Sequence, residues 1–356
     1  MSEKKCHSCL KSIESGIYCP RCRSALFGVR IVRPLRFDKT EFYTKRRELQ
    51  DRMSISGMQD KISLKFDETG NLVPTAEDGR FILKPVPTAE NLANNADVVA
   101  NEHLSMQISK QIFGIPTAES ALIPFSDGEL AYITKRFDYA TDGTKLDQED
   151  FASVLGKTEY NEGREYKYSM SYQAIAEAIT RYIPASRPAL ENFYRRVLLN
   201  YLIGNDDAHL KNFSIYRPEG RRDYDLTPNY DILYARYHIN GYLGLTALDM
   251  FAGSFETTSC TAAGFYTLED FELFGLEVCK IPQKRLVKII EEVFRSQSRV
   301  VDMIGMSFMS EAGRSAYTKN YFENLKKRFA YMIDGDKFVS TSILAPLVDR
   351  FVKKEG

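Results

Sequence analysis

Leu190, Phe193, Val197, Leu198, Tyr201 and Leu202 recur at helical spacing between Pro188 and Ile203. A stripe that wide belongs to a helix buried on most of its circumference. Gly204 ends it, and the next residues are Asn205-Asp206-Asp207-Ala208-His209-Leu210-Lys211-Asn212. Asp207 and Asn212 sit five apart in this polar segment, and Asp231 follows nineteen residues after Asn212, between Tyr230 and Ile232. Any fold for this chain must bury the helix and still present an acid, an amide and a second acid beyond its end.

Such a set suits phosphoryl transfer. One carboxylate orients and deprotonates the attacking hydroxyl, while an amide oxygen and a second carboxylate hold magnesium against the phosphates. Asp207 fits the first role; Asn212 and Asp231 fit the second, and the spacing is that of a protein kinase. A bare Asp-x-x-x-x-Asn is weak, because loops use both residue types to make turns. The rest of the chain has to supply the partners.

With 356 residues, the chain is long enough for two lobes with substantial cores. Hydrophobic residues at 44% and charged residues at 27% are ordinary for a soluble globular protein. The formal net charge is zero, so nothing global points to nucleic acid or a membrane as a direct partner. No apolar run is long enough to span a bilayer, and Met1-Ser2-Glu3-Lys4-Lys5 does not begin a signal sequence. The expected compartment is the cytoplasm.

Four of the six cysteines fall within the first 22 residues, as Cys6-x-x-Cys9 and Cys19-x-x-Cys22. Without a secretory signal this clustering favours metal over disulfides. Four thiolates would form a structural Zn²⁺ site that helps a small knuckle fold. Reduced thiols packed without metal are the alternative, and His7 reads as a bystander.

From Ser54 the pattern changes to Ser54-Ile55-Ser56-Gly57-Met58-Gln59-Asp60-Lys61, followed by alternation of Ile62, Leu64 and Phe66 with Ser63 and Lys65. That is a strand. A turn is expected at Glu68-Thr69-Gly70-Asn71 and a second strand at Phe81-Ile82-Leu83-Lys84-Pro85. A Ser- and Gly-containing loop ahead of one strand, with Lys84 on a neighbour, could cradle a nucleotide: backbone N–H groups face phosphates and the lysine adds a point charge. Residues from about Asn91 to Phe113 read as a helix, with Val98, Leu104, Ile108 and Ile112 on one face. Glu102 lies within it, and a kinase needs an acid there to aim the strand lysine. Taken singly, Lys84 and Glu102 read as exposed side chains.

Ala121–Pro124 and Leu130–Asp138 read as a hairpin turning at Ser126-Asp127-Gly128, with a hinge to follow. Leu146–Phe151 is expected to start a helical region capped by Asp147 or Gln148. Short strands are expected near Phe213–Tyr216 and Tyr224–Leu226. The last hundred residues read as helices, for example Leu286–Phe294 and Tyr317–Met332. His238 and Cys260 read as isolated loop residues of no chemical role.

Taken together, Ser54–Lys61, Phe81–Pro85, Lys135-Arg136-Phe137-Asp138, Gln148-Glu149-Asp150-Phe151, Ile203–Asn212 and Tyr230-Asp231-Ile232 resemble the HipA-like serine/threonine kinases, the toxin kinases of bacterial toxin–antitoxin systems. The motifs run in that family's order from residue 52 to 232. The resemblance implies ATP and Mg²⁺ as cofactors. It implies that Lys84 contacts phosphates, with Glu102 and Gly57 in the nucleotide site. Lys135, Arg136 and Phe137 would form the hinge beside adenine, and His209 would lie near the nucleotide. Asp207 would be the base, with Asn212 and Asp231 on Mg²⁺. Ser54 matches the serine that the family autophosphorylates, and Ser56 is a second candidate. Larger HipA proteins carry an additional amino-terminal subdomain of about a hundred residues. The short cysteine-bearing segment here looks instead like the HipT type, which works with a small HipS-like partner. The family's known substrates are aminoacyl-tRNA synthetases, so translation arrest is the implied outcome.

The expected fold is α+β and two-lobed, protein-kinase-like: a four-cysteine knuckle over residues 1–28, a β-rich amino lobe over 29–137, and a helical carboxy lobe over 138–356. Two rivals stand beside the toxin reading. One is a HipA-like kinase outside any toxin–antitoxin system, acting on a host protein or lipid. The other is a pseudokinase or zinc-knuckle binding module, against which the lysine, base and two metal ligands all argue.

Overall fold

The structure is a computed structural model that describes residues 4–49, 60–88, 92–239, 246–331 and 342–352. Ser54, Ser56 and Gly57 lie outside the described residues. The amino lobe is an antiparallel sheet of β1 (Ile62–Phe66), β2 (Leu72–Pro74), β3 (Phe81–Lys84), β4 (Ser120–Pro124) and β5 (Leu130–Lys135), in the order β2-β1-β3-β5-β4. Strand alternation sends the two faces to different cores. Ile62, Leu64, Phe81, Leu83, Ala121, Ile123 and Ile133 join a cluster with Tyr18, Leu26, Phe27, Phe37 and Phe42. Those last residues come from the cysteine segment, from α1 (Pro20–Phe27) and from α2 (Lys39–Leu49) or the stretch before it. Leu122 and Tyr132 belong to the other cluster, together with Val99, Leu104 and Ile108 of α3 (Val98–Gln111). The alternation that buries Leu83 on one face therefore turns Lys84 toward α3 on the other.

α3 is shorter than the sequence periodicity predicts. It begins at Val98, because Asn95–Asp97 form a 3₁₀ turn and Asn94 adopts φ +53°; Leu92 meanwhile bridges to Ile239. The expected turn near Gly70 is present, as is the hairpin turn at Gly128, where φ is +92°.

In the carboxy lobe, β6 (Gln148–Asp150), β7 (Ser214–Tyr216) and β8 (Asp225–Leu226) form a small antiparallel sheet. Helices follow β6 as α4 (Phe151–Val154), α5 (Glu159–Glu162), α6 (Tyr172–Tyr182) and α7 (Ser186–Ile203). Beyond β8 come α8 (Thr258–Ala263), α9 (Leu268–Leu273), α10 (Gln283–Arg295), α11 (Gln297–Met306), α12 (Glu311–Phe322) and α13 (Ala345–Phe351). α7 is the buried helix its apolar stripe requires, with Phe193, Leu198 and Leu202 wholly enclosed. It stops at Gly204 with φ +73°, where a Cβ would come within 3.1 Å of the Tyr234 ring. Among the described residues no helix is long and apolar enough to cross a membrane.

Three further expectations are corrected. Gln148–Asp150 is a strand, and the cap of α4 is Asp150, whose carboxylate accepts from Ser153 N, rather than Asp147 or Gln148. The helix expected over Tyr317–Met332 is α12 followed by a π-helical turn at Glu323–Phe329, and Met332 lies outside the described residues. Cys260 sits buried within α8 and not in a loop.

Candidate active site

The buried Lys84 ammonium stands between two carboxylates, 2.7 Å from Glu102 Oε1 and 2.6 Å from Asp231 Oδ1. β3 supplies the lysine, α3 the glutamate, and the segment after β8 the aspartate. Glu102 is 1% exposed, so it is no solvated helix residue. Its burial outweighs the neighbouring ammonium and raises its carboxyl to about 7. Burial alone would lower Lys84, but Asp231 and Glu102 hold its ammonium above the usual range. Asp231 is held well below the carboxylate range: burial opposes this, and the positive charges of Lys84 and Lys61 prevail.

Asp231 takes φ +56°, a left-handed backbone that aspartate tolerates better than most residues. Its side chain is 39% exposed, so one side stays open. Asn212 Nδ2 lies 3.3 Å from Asp231 Oδ2, and Asn212 Oδ1 accepts from His209 N at 3.1 Å. A carboxylate and an amide so close offer hard oxygen donors that suit a small divalent cation, once the amide turns its oxygen toward Asp231.

The Asp207 side chain is 40% exposed and accepts a hydrogen bond from the Tyr168 hydroxyl at 2.5 Å. His209 Nε2 is 3.9 Å from the same carboxylate. Burial lowers the His209 imidazole to about 4, so it is neutral at neutral pH. The adjacent acid, Asp206, is buried and paired instead with the Arg236 guanidinium through contacts of 2.6 and 2.9 Å. The loop is pinned from several sides. Lys211 Nζ meets Asp150 Oδ2 at 2.6 Å, the Tyr230 hydroxyl donates to Lys211 O at 2.8 Å, and the Tyr172 hydroxyl to Ala208 O at 3.0 Å. Asn101 of α3 holds both the N–H and the carbonyl of Tyr234, at 2.9 and 3.0 Å, tying that helix to the segment carrying Asp231.

Lys84, Glu102, Asn212 and Asp231 thus converge, with Asp207 and His209 beside them on the same loop. The hinge side chains do not join them. Lys135 Nζ turns to Ala25 O at 3.5 Å, and Arg136 pairs with Asp138. Phe137 packs against Tyr230 and Tyr216. Sequence reasoning assigned nothing to Tyr168, Asp150, Asn101 or Lys61. Only the motifs around Asp150 and Lys61 carried a signal, and burial beside Lys84 lowers the Lys61 ammonium. A cleft lined by Ile112, Pro116, Glu191, Arg195 and Arg285 contains none of these groups, and its charges are largely paired with one another.

Cys6, Cys9, Cys19 and Cys22 bring their sulfurs within 4.8 Å of one another, a group that could hold a metal ion. Hydrogen bonds from Cys22 and Cys9 lower the Cys6 thiol.

A strand lysine paired to a helix glutamate, over a loop bearing acid and amide and a second acid beyond it, is the framework of a two-lobed protein-kinase-like fold. The family description "HipA-like C-terminal domain" matches residues 53–301, and the chain belongs to that family. It is 28% identical over 304 residues to the "Putative kinase" of Haemophilus influenzae, covering 82% of this chain and 86% of that protein. It is 32% identical over 205 residues to "Putative kinase Y4dM" of Sinorhizobium fredii, covering 53% of this chain and 47% of that protein. The fold is similar to HipA of Shewanella oneidensis, solved in complex with HipB and operator DNA. The TM-score is 0.55 and the identity 19%, over 85% of this chain and 72% of that one.

Proposed function

We propose that this protein is an ATP-dependent serine/threonine protein kinase, a HipA- or HipT-like toxin whose substrate is an aminoacyl-tRNA synthetase. The observation that carries this reading is the buried Lys84 ammonium held by Glu102 and Asp231, with the amide of Asn212 beside Asp231. A pure binding module has no use for that combination. Lys84 would bind phosphate oxygens, and Glu102 would keep its ammonium aimed. Asp231 and Asn212 would hold Mg²⁺, which when bound neutralises charge on the phosphates. Asp207 would orient the substrate hydroxyl and take its proton. The hydroxyl oxygen then bonds to the γ-phosphorus as the bond to the bridging oxygen breaks, and ADP leaves with that electron pair. Ser54 and Ser56, in the phosphate loop on this reading, would be autophosphorylation sites that restrain nucleotide binding through about −1.5 to −2 of added charge. The four thiolates would hold one structural Zn²⁺. A HipB-type antitoxin and a HipS-like subunit are the partners to seek in the cytoplasm. The amino-terminal knuckle, amino lobe and carboxy lobe would divide at about residues 28 and 137.

The test is transfer of label from γ-labelled ATP with Mg²⁺. Wild type should label itself on Ser54 or Ser56 by mass spectrometry and label a synthetase. Asp207→Ala should lose roughly 10² to 10⁴ in rate while keeping its fold. A folded Asp207→Ala protein that labels like wild type would remove Asp207 from the reaction.

A further inference from the structure

Cys9 Sγ lies 3.9 Å from Cys19 Sγ. A tetrahedral Zn²⁺ with bonds of about 2.3 Å separates its sulfurs by about 3.8 Å. Backbone groups already aim at the sulfurs, Cys19 N at Cys6 Sγ (3.2 Å) and Cys22 N at Cys19 Sγ (3.5 Å). The loop between the first two cysteines then spends three consecutive carbonyls on two other elements. His7 O accepts from Leu122 N of β4 at 2.9 Å. Ser8 O accepts from His103 Nε2 at 2.7 Å, and Cys9 O from Gln111 Nε2 at 3.1 Å, both on α3. The Tyr18 hydroxyl and Ser8 Oγ cover the outward carbonyls of Leu122 and Ser120, each at 2.8 Å, so the edge of the sheet is closed. On the far side Lys5 Nζ reaches Met306 O at 2.8 Å and the His7 ring meets Phe308 edge-on.

His103 is wholly buried and directly follows Glu102 in α3. The contact that holds one face of this turn of helix therefore comes from the cysteine loop, while the other face presents Glu102 to Lys84. A loop of so few residues has little core of its own, and its carbonyls stay in register only if the cysteines are tied together. We infer that the cysteine cluster is a Zn²⁺-held clamp on α3: metal in the four thiolates fixes the loop, the loop fixes His103 and Gln111, and the Glu102–Lys84 pair is kept in place from outside the reaction centre. This rests on the zinc assignment above and stands apart from the kinase chemistry.

The clamp is tested on the full chain by elemental analysis and by amide hydrogen exchange, before and after zinc is withdrawn with a mercurial and a chelator. Loss of one zinc should speed exchange across residues 98–111 by about tenfold or more while α10 stays protected. His103→Ala should keep its zinc yet loosen α3, and His103→Gln, whose amide can donate to Ser8 O, should restore protection. Equal loosening of α3 and α10 would make the metal a general stabiliser and overturn the clamp. So would unchanged exchange after zinc loss, His103→Ala indistinguishable from wild type, or protein that carries no zinc. A metal-dependent α3 in a protein that transfers no phosphate would leave the clamp standing and sink the kinase reading instead.

Discussion

Lys84 Nζ lies 2.6 Å from Asp231 Oδ1, so a strand of the amino lobe and the segment after β8 are joined through one oxygen of the carboxylate whose other oxygen faces Asn212. On the proposed reading lysine and cation would share one carboxylate, whose ionised form the lysine secures in advance. Asp231→Asn should therefore weaken Mg²⁺ binding on the order of tenfold or more, because the amide keeps an oxygen but loses the charge. A magnesium titration of nucleotide binding measures this, and an unchanged midpoint would take Asp231 out of the metal site.

The Tyr168 hydroxyl is the direct donor to Asp207. A hydrogen bond to a charged group is worth about 1.5–3 kcal/mol. Tyr168→Phe should leave KM for ATP near wild type and lower kcat about tenfold or more, since the carboxylate loses its orienting partner. A fall in ATP affinity with kcat intact would place Tyr168 in nucleotide binding instead.

Glu102 should set the pH dependence of activity. Its ordinary value of 4.5 is raised to about 7 by burial, and Lys84, Asp231 and Lys61 are the charged groups acting on it. Only the ionised form pairs with Lys84, so activity should rise with pH through about 7 and level off above. Stability runs the other way. The native state keeps this proton to a higher pH than the unfolded chain, so the contribution present below 4.5 is lost as pH rises through about 7. Glu102→Gln should be less active and should lose that limb of the pH–rate profile. A limb of the same midpoint in the Gln variant would assign it to another group.

Asp150 serves two partners, Ser153 N at the start of α4 and Lys211 in the Asp207 loop. Asp150→Ala should cost about 1–2 kcal/mol, mostly the cap, with a smaller term from the partly exposed ion pair. It should also raise hydrogen exchange over residues 207–212. Denaturant unfolding read beside exchange separates the two effects. A stability loss with no change in the loop would leave the residue as a cap alone.

Periodicity alone carried much of the architecture. The alternation at Ile62, Leu64 and Phe66, the stripe from Leu190 to Leu202 and the stop at Gly204 each reappear in place, because strand and helix geometry act over a few residues and leave a local mark. Asp207, Asn212 and Asp231 were legible for a related reason, since their spacing follows one short stretch of loop and strand. Where contacts cross the chain, the sequence was silent or wrong. Leu146–Phe151 read as helical, yet Gln148–Asp150 is a strand because Ser214–Tyr216 lies alongside to pair with it. Glu102 and Lys84, taken singly, read as solvated residues; the kinase pattern pointed to their pairing, and the packing of α3 on β4 and β5 buries them against each other. Tyr168 carries no local signature, because its meaning depends on an oxygen 39 positions away in the chain. The cysteines announced by their spacing alone a cluster that could hold a metal ion. That the same loop grips His103 and Gln111 was decided by tertiary structure, because a backbone carbonyl is identical in every residue and finds its partner only when the chain has folded.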